Sequence, residues 1–355
     1  MLTPRPAVLS APRYQPAVRV VPDPARAIYV DANESPLGPP EPALRAAGLA
    51  AASPDRYPDG LCEALRGRIA EAIEADPRAI VCGHGSEELI HLTCRALLEP
   101  GDEVIVGPTA FAIYRIATLA AGGRVVEAEE TDYALDPASV AARVGPRTRI
   151  VFVANPNNPT GALMAPEAVD ALVRAVPPAV LVVLDSAYAE YVSAPGYTAG
   201  HERVAADGNV AVMRTFSKAW GLAGLRLGWM HAPDALVDAL DRARPVFNVS
   251  TIAQAAGEAA FGDDAHLQAV RAHARRSLDV WAPLASRLET RTILGNTNFV
   301  FVERAPGLAE FLQSHNIVAF PLKGYRMPEA VRISFGSDAE NARIADVVEA
   351  WSGRS

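Results

Sequence analysis

Cysteine is scarce in this chain, with only Cys62, Cys82 and Cys94 among 355 residues. An odd count without zinc-like spacing speaks against a disulfide framework or a metal site, and fits thiols kept reduced in a cytoplasm. There is no run of about 20 apolar residues, so no membrane-spanning helix is expected. No basic stretch leads into an apolar one at the start, which argues against a secretory signal and for a cytoplasmic location. Positive charge is in deficit, with a net charge of −8. Nucleic acid is therefore not an expected partner, and a phosphate-bearing ligand must be held by local arginines and N–H groups.

Half of the residues are hydrophobic, enough for one large or two moderate domains. Short apolar runs at 79–82, 104–107, 124–127, 150–154, 180–185 and 210–214 read as strands. Helical patterns at 87–98, 111–121, 137–143, 166–175 and about 219–223 alternate with them. That alternation predicts an α/β fold, a mostly parallel sheet with helices on both faces. The C-terminal third differs. It has helical stretches at 234–244 and 253–288, strand-like segments at 298–303, 317–321 and 331–335, and a last helix over 338–351. A smaller α+β domain is expected there. The first 28 residues carry six prolines and read as an extended arm. The expected division is an arm over 1–28, a large domain over 29–240 and a small domain over 241–355.

Chemistry concentrates in four segments. Thr215-Phe216-Ser217-Lys218 follows the apolar run Val210–Met213, with Arg226 eight residues behind the lysine. A partly desolvated amine is nucleophilic near neutral pH, and the hydroxyls and the guanidinium suit a phosphate. A lone lysine after a strand is ordinarily a surface residue, but three other segments complete a site. Asn155-Pro156-Asn157-Asn158-Pro159-Thr160-Gly161 is a rigid turn after a strand. Leu181–Tyr188 reads as a buried parallel strand that carries Asp185 to the carboxyl edge of the sheet, where open α/β sheets bind ligands. Gly83-His84-Gly85-Ser86-Glu87-Glu88 places glycines before a helix start, which lets backbone N–H groups approach a phosphate.

These segments are joined by Asp31–Gly38, Arg56-Tyr57-Pro58-Asp59, Asn248–Gln254, Asn298-Phe299-Val300 and Val331-Arg332-Ile333-Ser334. Together they resemble, nearly end to end, the fold-type I pyridoxal-phosphate aminotransferases, and within them the histidinol-phosphate aminotransferase group. The resemblance implies that Lys218 bonds to the cofactor and later moves a proton at the substrate α-carbon. Asp185 then pairs with the pyridine nitrogen, and Asn158 and Tyr188 hydrogen-bond its 3′-oxygen. Ser86, Glu87 through its backbone N–H, Thr215, Ser217 and Arg226 form the phosphate cradle, and Phe111 stacks on the ring. Tyr57 reaches the phosphate of a neighbouring subunit, so the implied active unit is a homodimer. Arg332 grips a substrate anion, and Tyr14 lies near the substrate.

Glu87 stands where the group usually has Asp and Phe111 where many relatives have Tyr, but the main departure lies elsewhere. An arginine that helps hold the substrate phosphate usually stands where this chain has Phe320. A hydrogen bond to a charged group is worth about 1.5–3 kcal/mol. Lys323 and Arg326, in the same loop, are candidate replacements. The expected activity is transfer of an amino group between an α-amino acid, with an apolar or aromatic side chain favoured, and a 2-oxo acid such as 2-oxoglutarate. The alternatives are histidinol-phosphate transamination, phosphothreonine-type decarboxylation and a non-catalytic cofactor-binding protein. Regulators of this fold carry a DNA-binding domain in front, and about 28 residues there are too few for one.

Overall fold

The computed structural model describes residues 2–14 and 16–352. Residues 1 and 15 of the expected arm and 353–355 of the expected small domain lie outside the described residues. The main sheet has seven strands: β1 (Ile80–His84), β2 (Glu103–Val106), β3 (Arg124–Glu127), β4 (Thr148–Ala154), β5 (Leu181–Asp185), β6 (Val210–Thr215) and β7 (Leu227–His231). Their spatial order is β1-β7-β6-β5-β4-β2-β3. All neighbours are parallel except β7, which runs against both β1 and β6.

Successive side chains on the central strands feed two separate cores. Ile150, Phe152, Leu181 and Val183 pack with helices α1 (Gly85–Leu97) and α2 (Ala112–Ala121) through Leu89, Ile90, Ile113 and Tyr114. Val151, Val153, Val182 and Leu184 pack on the other face with Val169 and Leu172 of α3 (Pro166–Ala175). A strand buried on both faces has no polar alternation to show, which is why these runs are almost wholly apolar.

A smaller sheet holds β8 (Thr292–Ile293), β9 (Phe299–Val302), β10 (Phe320–Pro321) and β11 (Val331–Ser334) in the order β8-β9-β11-β10, with antiparallel pairings. Ile28–Tyr29 pairs in parallel with Ile317–Val318, and the Ser334 amide donates to the Val30 carbonyl. Segment 28–33 is thereby fastened against the small sheet and directed towards the carboxyl edge of the large one.

The structure corrects three expectations. Residues 219–222 form no helix, and only a three-residue turn follows at Ala223–Leu225. Gly221 has φ +66°, and a Cβ there would sit 2.2 Å from the Gly38 carbonyl oxygen, so the chain is held in a close crossing that a helix cannot make. The stretch 253–288 is two helices, Thr251–Ala260 and Asp264–Ala285, split at Gly262 with φ +95°. The Asp263 side chain then caps the second by accepting from the His266 amide. The arm contains a short helix, Pro6–Ser10.

Candidate active site

Strand direction gathers the four chemical segments at one edge. β4, β5 and β6 are parallel, so Asn155–Gly161, Asp185–Tyr188 and Thr215–Lys218 all leave the same end of the sheet. The antiparallel β7 begins at that end, pairing Leu227 with His84 and Gly228 with Thr215, which brings Arg226 beside the start of α1. A cavity of about 660 Å³ opens there, lined by Ser86, Glu87, Phe111, Asn158, Asp185, Tyr188, Thr215, Ser217, Lys218, Arg226, Arg332, Phe320 and Tyr14. Of the site residues expected from the sequence, only Tyr57 is missing from this wall. Its side chain is 83 % exposed and stacks on Phe247 at 4.8 Å between ring centres.

Lys218 Nζ donates to the Ala32 carbonyl at 3.1 Å. Burial, and then the positive charge of Arg332, pull its pKa down to about 7. An amine at that value is partly neutral at physiological pH, as a nucleophile and base must be. Asp185 lies under the cavity with both oxygens engaged. Tyr114 Oη donates to Oδ2 at 2.6 Å, and the Ala187 amide donates to Oδ1 at 3.2 Å. Burial pushes the Asp185 carboxyl up to about 6, against the Tyr114 hydrogen bond that lowers it.

Tyr188 Oη accepts from Asn33 Nδ2 at 2.8 Å, and burial raises its phenol to about 12. Asn158 Oδ1 accepts from Arg332 Nη1 at 2.7 Å, which leaves its Nδ2 as the end available to an acceptor in the cavity. Arg332 Nη2 donates to the Asp31 carbonyl at 2.5 Å, while its Nε has no partner among the described residues. The Arg332 guanidinium lies over the Phe320 ring at 4.7 Å and near the Phe299 ring at 5.5 Å. Phe320 is 8 % exposed. It therefore supports Arg332 from beneath more than it walls the cavity. Lys323 and Arg326 do not replace the missing charge, since Lys323 pairs with Glu310 at 3.0 Å and Arg326 with Glu127 at 3.0 Å, outside this cavity.

The start of α1 fits a phosphate. No side chain caps it, so its first N–H groups are free for an anion. A Cβ at Gly85, whose φ is +80°, would fall 2.6 Å from Arg226 Nη2. A Cβ at Gly228 would fall 2.3 Å from the Ser86 amide nitrogen. Only glycines let the guanidinium and this helix start converge. The Thr215 hydroxyl accepts from the Ser217 amide at 3.1 Å and faces the same space. With the buried carboxylate of Asp185 at the far end, the walls suit a phosphorylated, protonated pyridine. Glu87 sends its carboxylate to within 3.9 Å of Arg226, so only its backbone is suited to bind an anion.

Sequence reading missed Tyr114, Asn33, the Ala32 carbonyl and Asp31. Tyr114 lies in the first turn of α2, three positions after Phe111, the residue that precedes the helix. Its ring stacks on Phe152 at 4.6 Å and meets Phe111 edge-on at 5.8 Å. Among the described residues no helix is long and apolar enough to cross a membrane, and no cluster of His, Cys, Asp and Glu could hold a metal.

The chain is 41 % identical to a histidinol-phosphate aminotransferase of Dinoroseobacter shibae, over 100 % of this chain and 99 % of the relative. It is 38 % identical to another of Nitrobacter hamburgensis, over 97 % of this chain and 96 % of the relative. Among solved structures, the histidinol-phosphate aminotransferase of Sinorhizobium meliloti in complex with pyridoxal-5′-phosphate superposes with a TM-score of 0.88 at 28 % identity, covering 98 % of this chain and 97 % of that one. An aspartate aminotransferase of Thermus thermophilus superposes with a TM-score of 0.81 at 25 % identity, over 92 % and 91 % of the two chains. Residues 27–348 match aminotransferase class I and II, and the chain belongs to that family.

Proposed function

We propose that this aminotransferase moves the amino group of histidinol phosphate to a 2-oxo acid such as 2-oxoglutarate, both small molecules, with pyridoxal 5′-phosphate as its cofactor. Near-full-length relatives at 38–41 % identity favour this substrate over the apolar or aromatic amino acid expected from Phe320. The single structural observation that carries it is Arg332, which still faces the Lys218 cavity, borne on the ring that stands in place of the second arginine. A phenylalanine ring beneath a guanidinium presents a cation, not an apolar wall. The position of Phe320 itself keeps the apolar-donor reading as the alternative.

When bound, the cofactor supplies a cationic ring that draws electrons from the substrate's amine-bearing carbon. Lys218, partly neutral at pH 7, would take the proton from that carbon and pass it on to the cofactor, which completes the amino transfer. Asp185 holds negative charge opposite the ring nitrogen, and Asn158 and Tyr188 hydrogen-bond the ring's 3′-oxygen. Phe111 covers the ring face. Ser86, the Glu87 N–H, Thr215, Ser217 and Arg226 hold the phosphate. Arg332 takes the α-carboxylate of the 2-oxo acid and, in the other half-reaction, a phosphate oxygen of histidinol phosphate, both by its forked donors. Tyr14 closes the substrate end.

The homodimer belongs to the same proposal, with Tyr57 reaching the partner's cofactor phosphate. Its exposed ring, and its place outside its own cavity, support that role. The proposal also takes in an arm over 1–28, domains over 29–240 and 241–355, and a cytoplasmic location. An amino-donor screen with 2-oxoglutarate tests the substrate. Histidinol phosphate should exceed phenylalanine, tyrosine and leucine in kcat/KM by more than about tenfold, or about 1.4 kcal/mol. Phenylalanine or leucine in first place would return the assignment to the alternative.

A further inference from the structure

A dianionic phosphate monoester in this cavity is short of positive charge. Lys218 and Arg226 are committed to the cofactor, and Lys323 and Arg326 are paired with carboxylates elsewhere. Among the described residues one more cation lines the Lys218 cavity, Arg19 of the N-terminal arm. Its position is fixed. Nε and Nη2 donate to the two carboxylate oxygens of Asp31 at 3.1 and 3.0 Å, and the guanidinium carbon lies 5.0 Å from the centre of the Tyr29 ring. Asp31 is also the residue whose carbonyl accepts from Arg332 Nη2 at 2.5 Å. One residue therefore docks both arginines, Arg19 on its side chain and Arg332 on its backbone. Both guanidinia line the same cavity, although 313 positions separate them in the chain (332 − 19).

We infer that Arg19 supplies the second phosphate-binding cation of the substrate site, in place of the charge absent at Phe320. A guanidinium has five N–H donors. Asp31 takes two of those of Arg19, and three remain for the phosphate oxygens. Asp31 offsets the charge of Arg19, so what the pair offers a phosphate is those three remaining N–H donors, aimed into the cavity. The carboxylate orients the fork and removes the freedom that an arm residue would otherwise lose on binding. Tyr14, on the same arm, lines the same cavity, so the arm contributes a phenol and a guanidinium together. Beyond Tyr14, Phe320 and Tyr325 lies a second cavity of about 480 Å³, with Arg13 and the Lys323–Glu310 pair on its wall.

This inference rests on histidinol phosphate being the donor, and the experiment separates the two ideas. For wild type, Arg19→Gln, Arg19→Lys and Arg13→Gln, kcat/KM is measured with histidinol phosphate and with histidinol, which is the same amine without the phosphate. Melting temperature and cofactor absorbance check that each variant is folded and loaded. Arg19→Gln should lower the ratio of the two kcat/KM values at least tenfold, mainly through KM for the phosphorylated donor. Arg19→Lys should recover part of it, and Arg13→Gln should hold the wild-type ratio. An equal loss on both amines would make Arg19 an anchor of the arm and overturn the inference. A fall in the ratio with Arg13→Gln but not with Arg19→Gln would overturn it in favour of the neighbouring cavity. A wild type that does not prefer histidinol phosphate over histidinol would remove the substrate assignment itself, and the inference with it.

Discussion

Removing one hydroxyl, in Tyr114→Phe, should change the proton affinity of Asp185 while leaving the fold in place. The phenyl ring keeps its stack on Phe152 at 4.6 Å, so the core contact survives. What is lost is a 2.6 Å hydrogen bond from Tyr114 Oη to a buried carboxylate. Such bonds are worth about 1.5–3 kcal/mol, and one pKa unit corresponds to about 1.4 kcal/mol, so Asp185 should rise by roughly one to two units. Burial has already brought it from 3.8 to about 6. A carboxyl raised by folding binds more protons in the native than in the unfolded chain between those two values, so stability falls as pH rises through that window. In wild-type apoprotein the Asp185 contribution to stability should thus decline from about pH 4 to about 6 and then level off. In Tyr114→Phe the decline should continue above pH 6. The assay is the Asp185 carboxylate titration by carbon-13 NMR in apoprotein, alongside melting temperature against pH. A folded Tyr114→Phe whose Asp185 titrates within about 0.3 unit of wild type would refute the reasoning, because that is under 0.5 kcal/mol.

Other expectations follow from the same geometry. Gly228→Ala would drive a methyl group to 2.3 Å from the Ser86 amide, so cofactor affinity should fall at least tenfold, read by equilibrium dialysis; unchanged affinity would mean that the start of α1 is not the phosphate cradle. Asp185→Asn should keep the fold and lose most activity, since an amide cannot hold a ring proton by charge; activity within about threefold of wild type would give Asp185 another role. Mixing Lys218→Ala with Tyr57→Phe chains, each impaired alone, should restore activity in verified heterodimers, because one hybrid site is then intact. No recovery would place Tyr57 outside the partner's site.

The parts of the fold legible in the sequence are those with one dominant signal. Runs such as Leu181-Val182-Val183-Leu184 are apolar without alternation because both faces are covered, and they read directly as central strands. β7 was not read, because Leu227-Gly228-Trp229-Met230-His231 begins inside the arginine motif and carries a glycine needed for contact with Ser86. The helices at Glu41–Ala50 and Glu63–Ile73 are not among those expected either; the first is alanine-rich and the second carries a glycine and charged residues along its length. In the site, residues within contiguous motifs were legible. Contacts joining distant segments were not: Tyr114 to Asp185 spans 71 positions, Asn33 to Tyr188 spans 155 and Lys218 to Ala32 spans 186. The letter at Phe320 announced a lost charge. It did not announce a ring packed 4.7 Å beneath the Arg332 guanidinium, and that arrangement turns the residue from an apolar wall into a support.

The central claim is that the cavity around Lys218 is the catalytic site. Borohydride reduction of the cofactor-loaded protein, followed by peptide mapping, tests it most directly. The account predicts that pyridoxal phosphate is fixed to the peptide carrying Lys218, and that Lys218→Ala binds cofactor without being labelled or turning over substrate. Label on any other lysine, or turnover by Lys218→Ala, would contradict it.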